Sequence, residues 1–168
     1  KSKNWVLQRC DNHCGKKNFQ TIVFLKIYLY DWIFNTLKML QTTHQIRVRY
    51  GETDPMKYVY YGNYAEYLEV ARVELFRKIG ISYNEIEQRG IWLPVSEYSI
   101  KYLKPAKYDD LLEIKTTIKK LPSVRIEFEY EIYNQANEKL TEAHTTLFFL
   151  DAEKQKITKC PEFLINLI

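Results

Sequence analysis

The sequence predicts an α+β domain of two layers, an antiparallel sheet with one long helix lying across it. Three observations predict it. The segment "NYAEYLEVARVELFRKIG" carries apolar residues at helical spacing. Four or five later segments show the apolar–polar alternation of strands. Mostly short turns join those segments, and short connections imply antiparallel pairing. One amphipathic helix can then cover one face of the sheet.

Each element has a local reason. In "HQIRVRY" (His44 to Tyr50), Ile46, Val48 and Tyr50 fall on one face and Gln45, Arg47 and Arg49 on the other, which predicts a half-buried strand. A loop with Pro55 and Gly62 follows. Tyr64, Leu68, Ala71, Leu75 and Ile79 then form the apolar stripe of the long helix, with Asn63 placed as its N-cap. Gly80 is suited to end it, with Lys78 in the last turn against the negative end of the dipole. "SYNE" (Ser82 to Glu85) reads as a capping box opening a short helix that Gly90 ends. "VSEYSIKYL" puts Tyr98, Ile100 and Tyr102 on one face, and "LLEIKTTIKKL" groups Leu112, Ile114 and Ile118. In "VRIEFEYEIY", Val124, Ile126, Phe128, Tyr130 and Ile132 face one side, and Glu127, Glu129 and Glu131 imply a solvated outer face. "KLTEAHTTLFFLD" and a short "QKITKC" complete the strands, with "LPS" and "NQANEK" as turns.

The composition, 46% hydrophobic and 27% charged in 168 residues, is that of a folded globular chain of one domain. Charge is unevenly placed. Residues 1–38 hold seven Lys or Arg and two Asp, which leaves 18 basic and 19 acidic groups for the rest. The basic balance therefore belongs to the leader, and net charge gives no support to a nucleic-acid partner. "TIVFLKIYLYDWIFNTLK" (Thr21 to Lys38) is too short and too charged for a spanning helix, so no stable membrane insertion is expected. The first methionine is Met39. We expect residues 1–38 to be a poorly packed or non-native leader and residues 39–168 to form the single working domain. Three cysteines make no disulfide framework and point to reduced thiols in a cytoplasmic setting. Cys10, His13 and Cys14 resemble half a zinc site, but no second ligand pair follows, so no metal and no cofactor are expected.

The stretch "YGETDPMKYVYYGNY" (Tyr50 to Tyr64) carries the candidate chemistry. Asp54 precedes a proline, and its ordinary reading is a turn residue. Its functional reading uses the helix that begins near Gly62 to Tyr64. Free N–H groups and the positive dipole end there can polarise a carbonyl or hold an oxyanion. A carboxylate opposite can attack that carbon or activate water. Gly62 would allow close backbone approach. The chain has no G-x-S-x-G, Walker loop or G-x-G-x-x-G. His44 and His144 lack the partners of a triad, and His144 reads as an ordinary strand histidine.

The segment "VRYGETDPMKYVYYGNYAEYLEVARVELFRKIG" resembles the hotdog-fold acyl-CoA thioesterases of the 4-hydroxybenzoyl-CoA thioesterase group, through Tyr50, Glu52, Asp54, Pro55, Val59, Tyr60, Asn63 and Tyr64. The resemblance runs from about Ile46 to Phe163. It implies an antiparallel sheet wrapped around a long central helix, assembled as homodimers or homotetramers. It implies hydrolysis of an acyl-CoA to free acid and CoA, with Asp54 as nucleophile or general base and the Tyr61 N–H polarising the carbonyl. Tyr60, Gly62, Asn63 and Tyr64 are then candidate substrate contacts, and Lys119, Lys120 and Arg125 candidate partners for the CoA phosphates. Two positions depart from the family. Lys57 stands where glycine is common, and Tyr61 where one branch carries histidine. The alternative is a non-catalytic acyl-thioester binding or scaffolding protein of the same fold.

Overall fold

Strict alternation makes the centre of the sheet. Along Arg125–Tyr133 the apolar residues Ile126, Phe128, Tyr130 and Ile132 are all buried, while Glu127, Glu129 and Glu131 stay half-exposed on the other face. The computed structural model describes residues 40–168. The expectations for the leader, for Met39 as a start and for Cys10, His13 and Cys14 lie outside the described residues.

The elements in chain order are β1 (Leu40–Arg47), a 3-10 turn (Tyr50–Glu52), α1 (Asn63–Lys78), α2 (Tyr83–Gln88), β2 (Ile91–Trp92), β3 (Val95–Tyr102), β4 (Leu111–Ile118), β5 (Arg125–Tyr133), β6 (Lys139–Phe148), β7 (Leu150–Asp151), β8 (Lys156–Ile157) and α3 (Glu162–Ile165). Five strands form an antiparallel sheet in the order β1-β4-β5-β6-β3. A small second sheet joins β2, β7 and β8. The α+β hotdog arrangement expected from the sequence is present. Strand β2 and helix α3 were not anticipated, because two to four residues carry too little periodicity to be read.

Helix α1 buries Tyr64, Tyr67, Leu68, Ala71, Arg72, Leu75 and Phe76 on one face. That face packs on the sheet chiefly against β1 and β4, over one core in which Leu112, Ile114, Phe128, Ile132 and Leu147 are fully buried. The Phe76 and Phe128 rings meet edge to face at 6.0 Å, which fixes the helix over β5. Each such side chain contributes about 1.5–3 kcal/mol on burial. The helix ends as expected. Gly80 takes φ +95, and the Ile81 N–H reaches back to the Phe76 carbonyl at 3.1 Å, satisfying an otherwise orphaned acceptor. Ser82 and Glu85 form the predicted capping box.

Two local expectations fail. Tyr50 is not the end of β1. The chain leaves the strand after Arg47 and turns, because the Arg49 N–H and side chain both bond to the Glu52 carboxylate, and Tyr50 swings out to 78% exposure. Asn63 is not the N-cap of α1. Gly62 holds that position, and the Asn63 amide donates instead to the Glu52 carbonyl at 2.7 Å.

Strand β3 is an edge. Its register against β6 puts Tyr98, Ile100 and Tyr102 on one face, as expected; that face is the α1 side, yet most of the strand is exposed. On the outer face of the sheet, Lys139 of β6 pairs with Glu131 of β5, Arg125 pairs with Glu127 within β5, and His144 bonds to Thr146 Oγ1 at 3.0 Å, an ordinary satisfied strand histidine.

Candidate active site

The loop before α1 is a tight hairpin built around Asp54. The Lys57 N–H closes the turn on the Asp54 carbonyl at 2.8 Å, and the Asp54 N–H bonds to the Tyr58 carbonyl at 2.9 Å. Asp before Pro suits this turn, since proline presets φ at the second position. Three-residue hairpins of this kind place a left-handed residue after the turn, usually glycine. Here Lys57 takes that position at φ +64. The departure noted in the sequence therefore leaves the backbone bend in place and adds strain to it.

The Asp54 side chain serves the turn with one oxygen. Oδ1 accepts from the Met56 N–H at 2.9 Å and the Tyr58 N–H at 3.3 Å. Oδ2 makes no hydrogen bond among the described residues, and Asp54 lines a pocket of about 450 Å³. Met56, Tyr58, Val59, Tyr61 and Tyr64 form the near wall, and Tyr102, Leu103, Lys104 and Pro105 form the far wall. This size is that of a small-molecule site.

The far wall comes from chain some forty residues later. It is brought in by a bond from the Val59 N–H to the Ala106 carbonyl at 2.9 Å and by a bridge between Tyr58 and Lys107. Tyr102 closes the junction. Its ring packs on Tyr64 at 5.1 Å, and its hydroxyl donates to the Tyr61 carbonyl at 3.2 Å. That contact orients the peptide between Tyr61 and Gly62, because carbonyl and N–H point to opposite sides of a trans peptide. The N–H groups of Tyr61 and Gly62 donate to nothing among the described residues. They lie where α1 begins, at the positive end of its dipole.

One buried carboxylate holds this loop. Glu52 is bonded by Arg49 and by the Tyr67 hydroxyl of α1, both at 2.7 Å. Burial alone would push its carboxyl up, but the bonds from Arg49 and Tyr67 outweigh that and hold it below its ordinary value. The Tyr67 hydroxyl is pushed well above its ordinary value, first by burial and then by its bond to Glu52.

The structure brings together Asp54, Tyr61 and Tyr64 of the expected site residues. Gly62 and Asn63 start the helix beside them without lining the pocket. A Cβ on Gly62 would sit 3.0 Å from the Tyr60 ring, so the close neighbour there is Tyr60, itself half-exposed. Lys119, Lys120 and Arg125 are elsewhere within the chain, at the β4–β5 connection. Lys119 pairs with Glu129, and Lys120 and Arg125 pair with Glu127. Sequence reading missed Tyr102 and Lys104 because nothing local links them to the Asp54 loop. No group of three or more His, Cys, Asp or Glu side chains among the described residues is placed to hold a metal ion. No helix among them is long and apolar enough to cross a membrane.

Comparison with known proteins agrees with this geometry. Residues 48–168 match the profile of the thioesterase-like superfamily. The acyl-CoA thioester hydrolase YbgC of Escherichia coli O6:H1 is 30% identical over 120 residues, covering 71% of this chain and 90% of that protein. A DHNA-CoA thioesterase from Staphylococcus aureus superposes with a TM-score of 0.68 at 34% identity, covering 71% of this chain and 80% of that one. A 4-hydroxybenzoyl CoA thioesterase mutant solved with 4-hydroxybenzoyl CoA gives a TM-score of 0.68 at 25% identity, covering 76% and 98%.

Two outcomes follow from the loop. Relieving the left-handed lysine with Lys57→Gly should raise stability by roughly 0.5–1 kcal/mol, the strain of a non-glycine residue less the added freedom of the unfolded chain. A higher urea midpoint checks this, and a lower one contradicts it. The lowered Glu52 carboxyl contributes stability that is complete above its unfolded value of about 4.3 and lost as pH falls through its lower folded value. The stability gap between wild type and Glu52→Gln should therefore narrow as the solution is taken below about pH 4. A gap that stays constant over that range would show that the charge of Glu52 contributes nothing.

Proposed function

The chain belongs to the thioesterase-like superfamily and is a thioester hydrolase, and on that premise we propose that it hydrolyses an acyl-CoA to a free carboxylic acid and CoA, with Asp54 as the reacting carboxylate. One observation carries the reading. The pocket that Asp54 lines, with one carboxylate oxygen uncommitted, is also lined by Tyr61, at a helix start where the Tyr61 and Gly62 N–H groups donate to nothing among the described residues.

In this reaction the thioester carbonyl lies toward the N–H groups of Tyr61 and Gly62, which take up the charge that develops on its oxygen. Asp54 acts from the other side in one of two ways. As general base, it takes a proton from a water whose oxygen adds to the carbonyl carbon. The C–S bond then breaks, and the thiolate leaves with that proton as the thiol. As nucleophile, its oxygen adds directly and expels the thiolate, leaving an acyl–aspartyl anhydride that water cleaves to the acid and the free carboxylate. Both routes consume one water and need one carboxylate. The tyrosine-rich walls, Tyr58, Tyr61, Tyr64 and Tyr102, suit an aromatic acyl group and also a short or medium aliphatic one.

Cytoplasmic residence and assembly as a homodimer or homotetramer belong to the same reading. The edge strand β3 leaves Val95, Tyr98 and Tyr102 between 40% and 51% exposed, and a second copy is the natural cover for an unpaired, aromatic sheet edge. That cover also supplies the surface the CoA phosphates need, since Lys119, Lys120 and Arg125 lie outside the pocket of their own chain. Light scattering should return a mass of two or four chains, and a monomer at working concentration would overturn the assembly.

Asp54→Asn tests the chemistry cleanly. An amide oxygen still accepts from Met56 and Tyr58, so the turn and the circular dichroism should be unchanged. Turnover should fall about a hundredfold or more, as when a positioned acid–base group is removed. Thiol release from a panel of acyl-CoAs measures it. Near-normal release by the folded variant would remove Asp54 from the mechanism.

A further inference from the structure

Glu52 is 7% exposed and lies two residues before Asp54. Its Oε2 accepts from the Arg49 N–H and the Tyr67 hydroxyl, both at 2.7 Å. Its Oε1 accepts from Arg49 Nε at 2.7 Å and Nη2 at 2.5 Å. Its own carbonyl accepts from the Tyr60 N–H at 2.9 Å and from the Asn63 amide at 2.7 Å. One residue thus holds the chain leaving β1, the face of α1 one turn in, and the two residues that flank the helix start. The Asp54 loop and the Tyr61 and Gly62 N–H groups are both referenced to it.

Stability alone is a poor reason for this arrangement. A buried ion pair is often no better than an apolar pair of the same volume, because both charges must leave water. Here the carboxylate is buried while Arg49 is mostly exposed, and the bonds converge on the loop rather than on the core. What such a network provides is a fixed position, and fixed position matters where a displacement of one ångström can cost about a hundredfold in rate.

We propose that Glu52 is a positioning residue for thioester hydrolysis, its clamp on Arg49 and Tyr67 setting the separation between the Asp54 carboxylate and the N–H groups of Tyr61 and Gly62. The proposal rests on the reading of Asp54 given above. Neither Glu52 nor Tyr67 lines the pocket, so each acts only through what it holds.

The test compares wild type, Glu52→Gln, Tyr67→Phe and Asp54→Asn. Glu52→Gln keeps the size but sets an amide N–H against the donors of Arg49. Tyr67→Phe removes one bond and little volume. The kcat should fall about ten- to a hundredfold in Glu52→Gln and about three- to tenfold in Tyr67→Phe, with KM changed less than about threefold. Hydrogen exchange gives a readout independent of turnover. The Met56 and Tyr58 amides, which bond to Asp54, should exchange about tenfold faster or more in Glu52→Gln, while the β5 amides keep their protection. A folded Glu52→Gln with wild-type kcat overturns the proposal when Asp54→Asn is inactive. Unchanged exchange at both amides overturns it whatever the activities. Full activity in Asp54→Asn instead defeats the underlying assignment of Asp54, and the exchange still reports whether Glu52 places the loop. If Glu52→Gln does not fold, Tyr67→Phe decides alone, and unchanged kcat and exchange in that variant overturn the proposal.

Discussion

Burying the Glu52 carboxylate obliges the chain around it to supply donors, and that obligation shapes everything between β1 and α1. Arg49 bends out of the strand direction to bond it through both backbone and side chain, which produces the 3-10 turn and throws Tyr50 into solvent. Tyr67 places its hydroxyl on the loop side of α1, although its ring belongs to the helical core face. Asn63 abandons the capping role its position suggests and reaches for the Glu52 carbonyl. These departures from local preference share one cause. An unbonded buried carboxylate costs more than the caps and strand residues given up for it.

The same loop is completed by chain far away in sequence. Tyr58 and Val59 pair with Lys107 and Ala106, and Tyr102 at the end of β3 holds the Tyr61 carbonyl. The edge strand therefore has a second duty beyond its place in the sheet, because it steadies the Tyr61–Gly62 peptide at the start of α1. In the proposed assembly, any partner that pairs with β3 would act on that peptide through Tyr102, so subunit contact and site geometry share one strand.

The fold was readable because its elements are long and periodic. The alternation over Ile126, Phe128, Tyr130 and Ile132 and the stripe from Tyr64 to Leu75 each have one burial solution, and the structure adopts it. Gly80, Ser82 and Glu85 marked boundaries through local chemistry that needs no tertiary context. Tyr50 and Asn63 were misread for the opposite reason. Their placement is decided by Glu52, whose burial is a property of the packed protein rather than of its neighbours in sequence. The pocket was half legible. Asp54, Tyr61 and Tyr64 lie in one contiguous stretch, whereas Tyr102, Leu103, Lys104 and Pro105 join them only through long-range pairing that no local pattern encodes.

Asp54 shows why an ordinary reading and a catalytic one need not compete. As a turn residue it must present an acceptor to the amides that follow, and Oδ1 does so with Met56 and Tyr58. A carboxylate has a second oxygen, fixed in the same plane, which the turn leaves unused. Once Oδ1 is held by two N–H groups, Oδ2 loses the freedom to rotate away, so the turn itself aims the oxygen that the proposed reaction employs. Lys57 fits the same logic. The hairpin that sets Asp54 requires a left-handed residue at its close, and the chain tolerates a strained lysine there rather than lose the bend. Turn chemistry and acid–base chemistry thus draw on the two oxygens of one side chain, and the geometry that satisfies the first supplies the orientation the second needs.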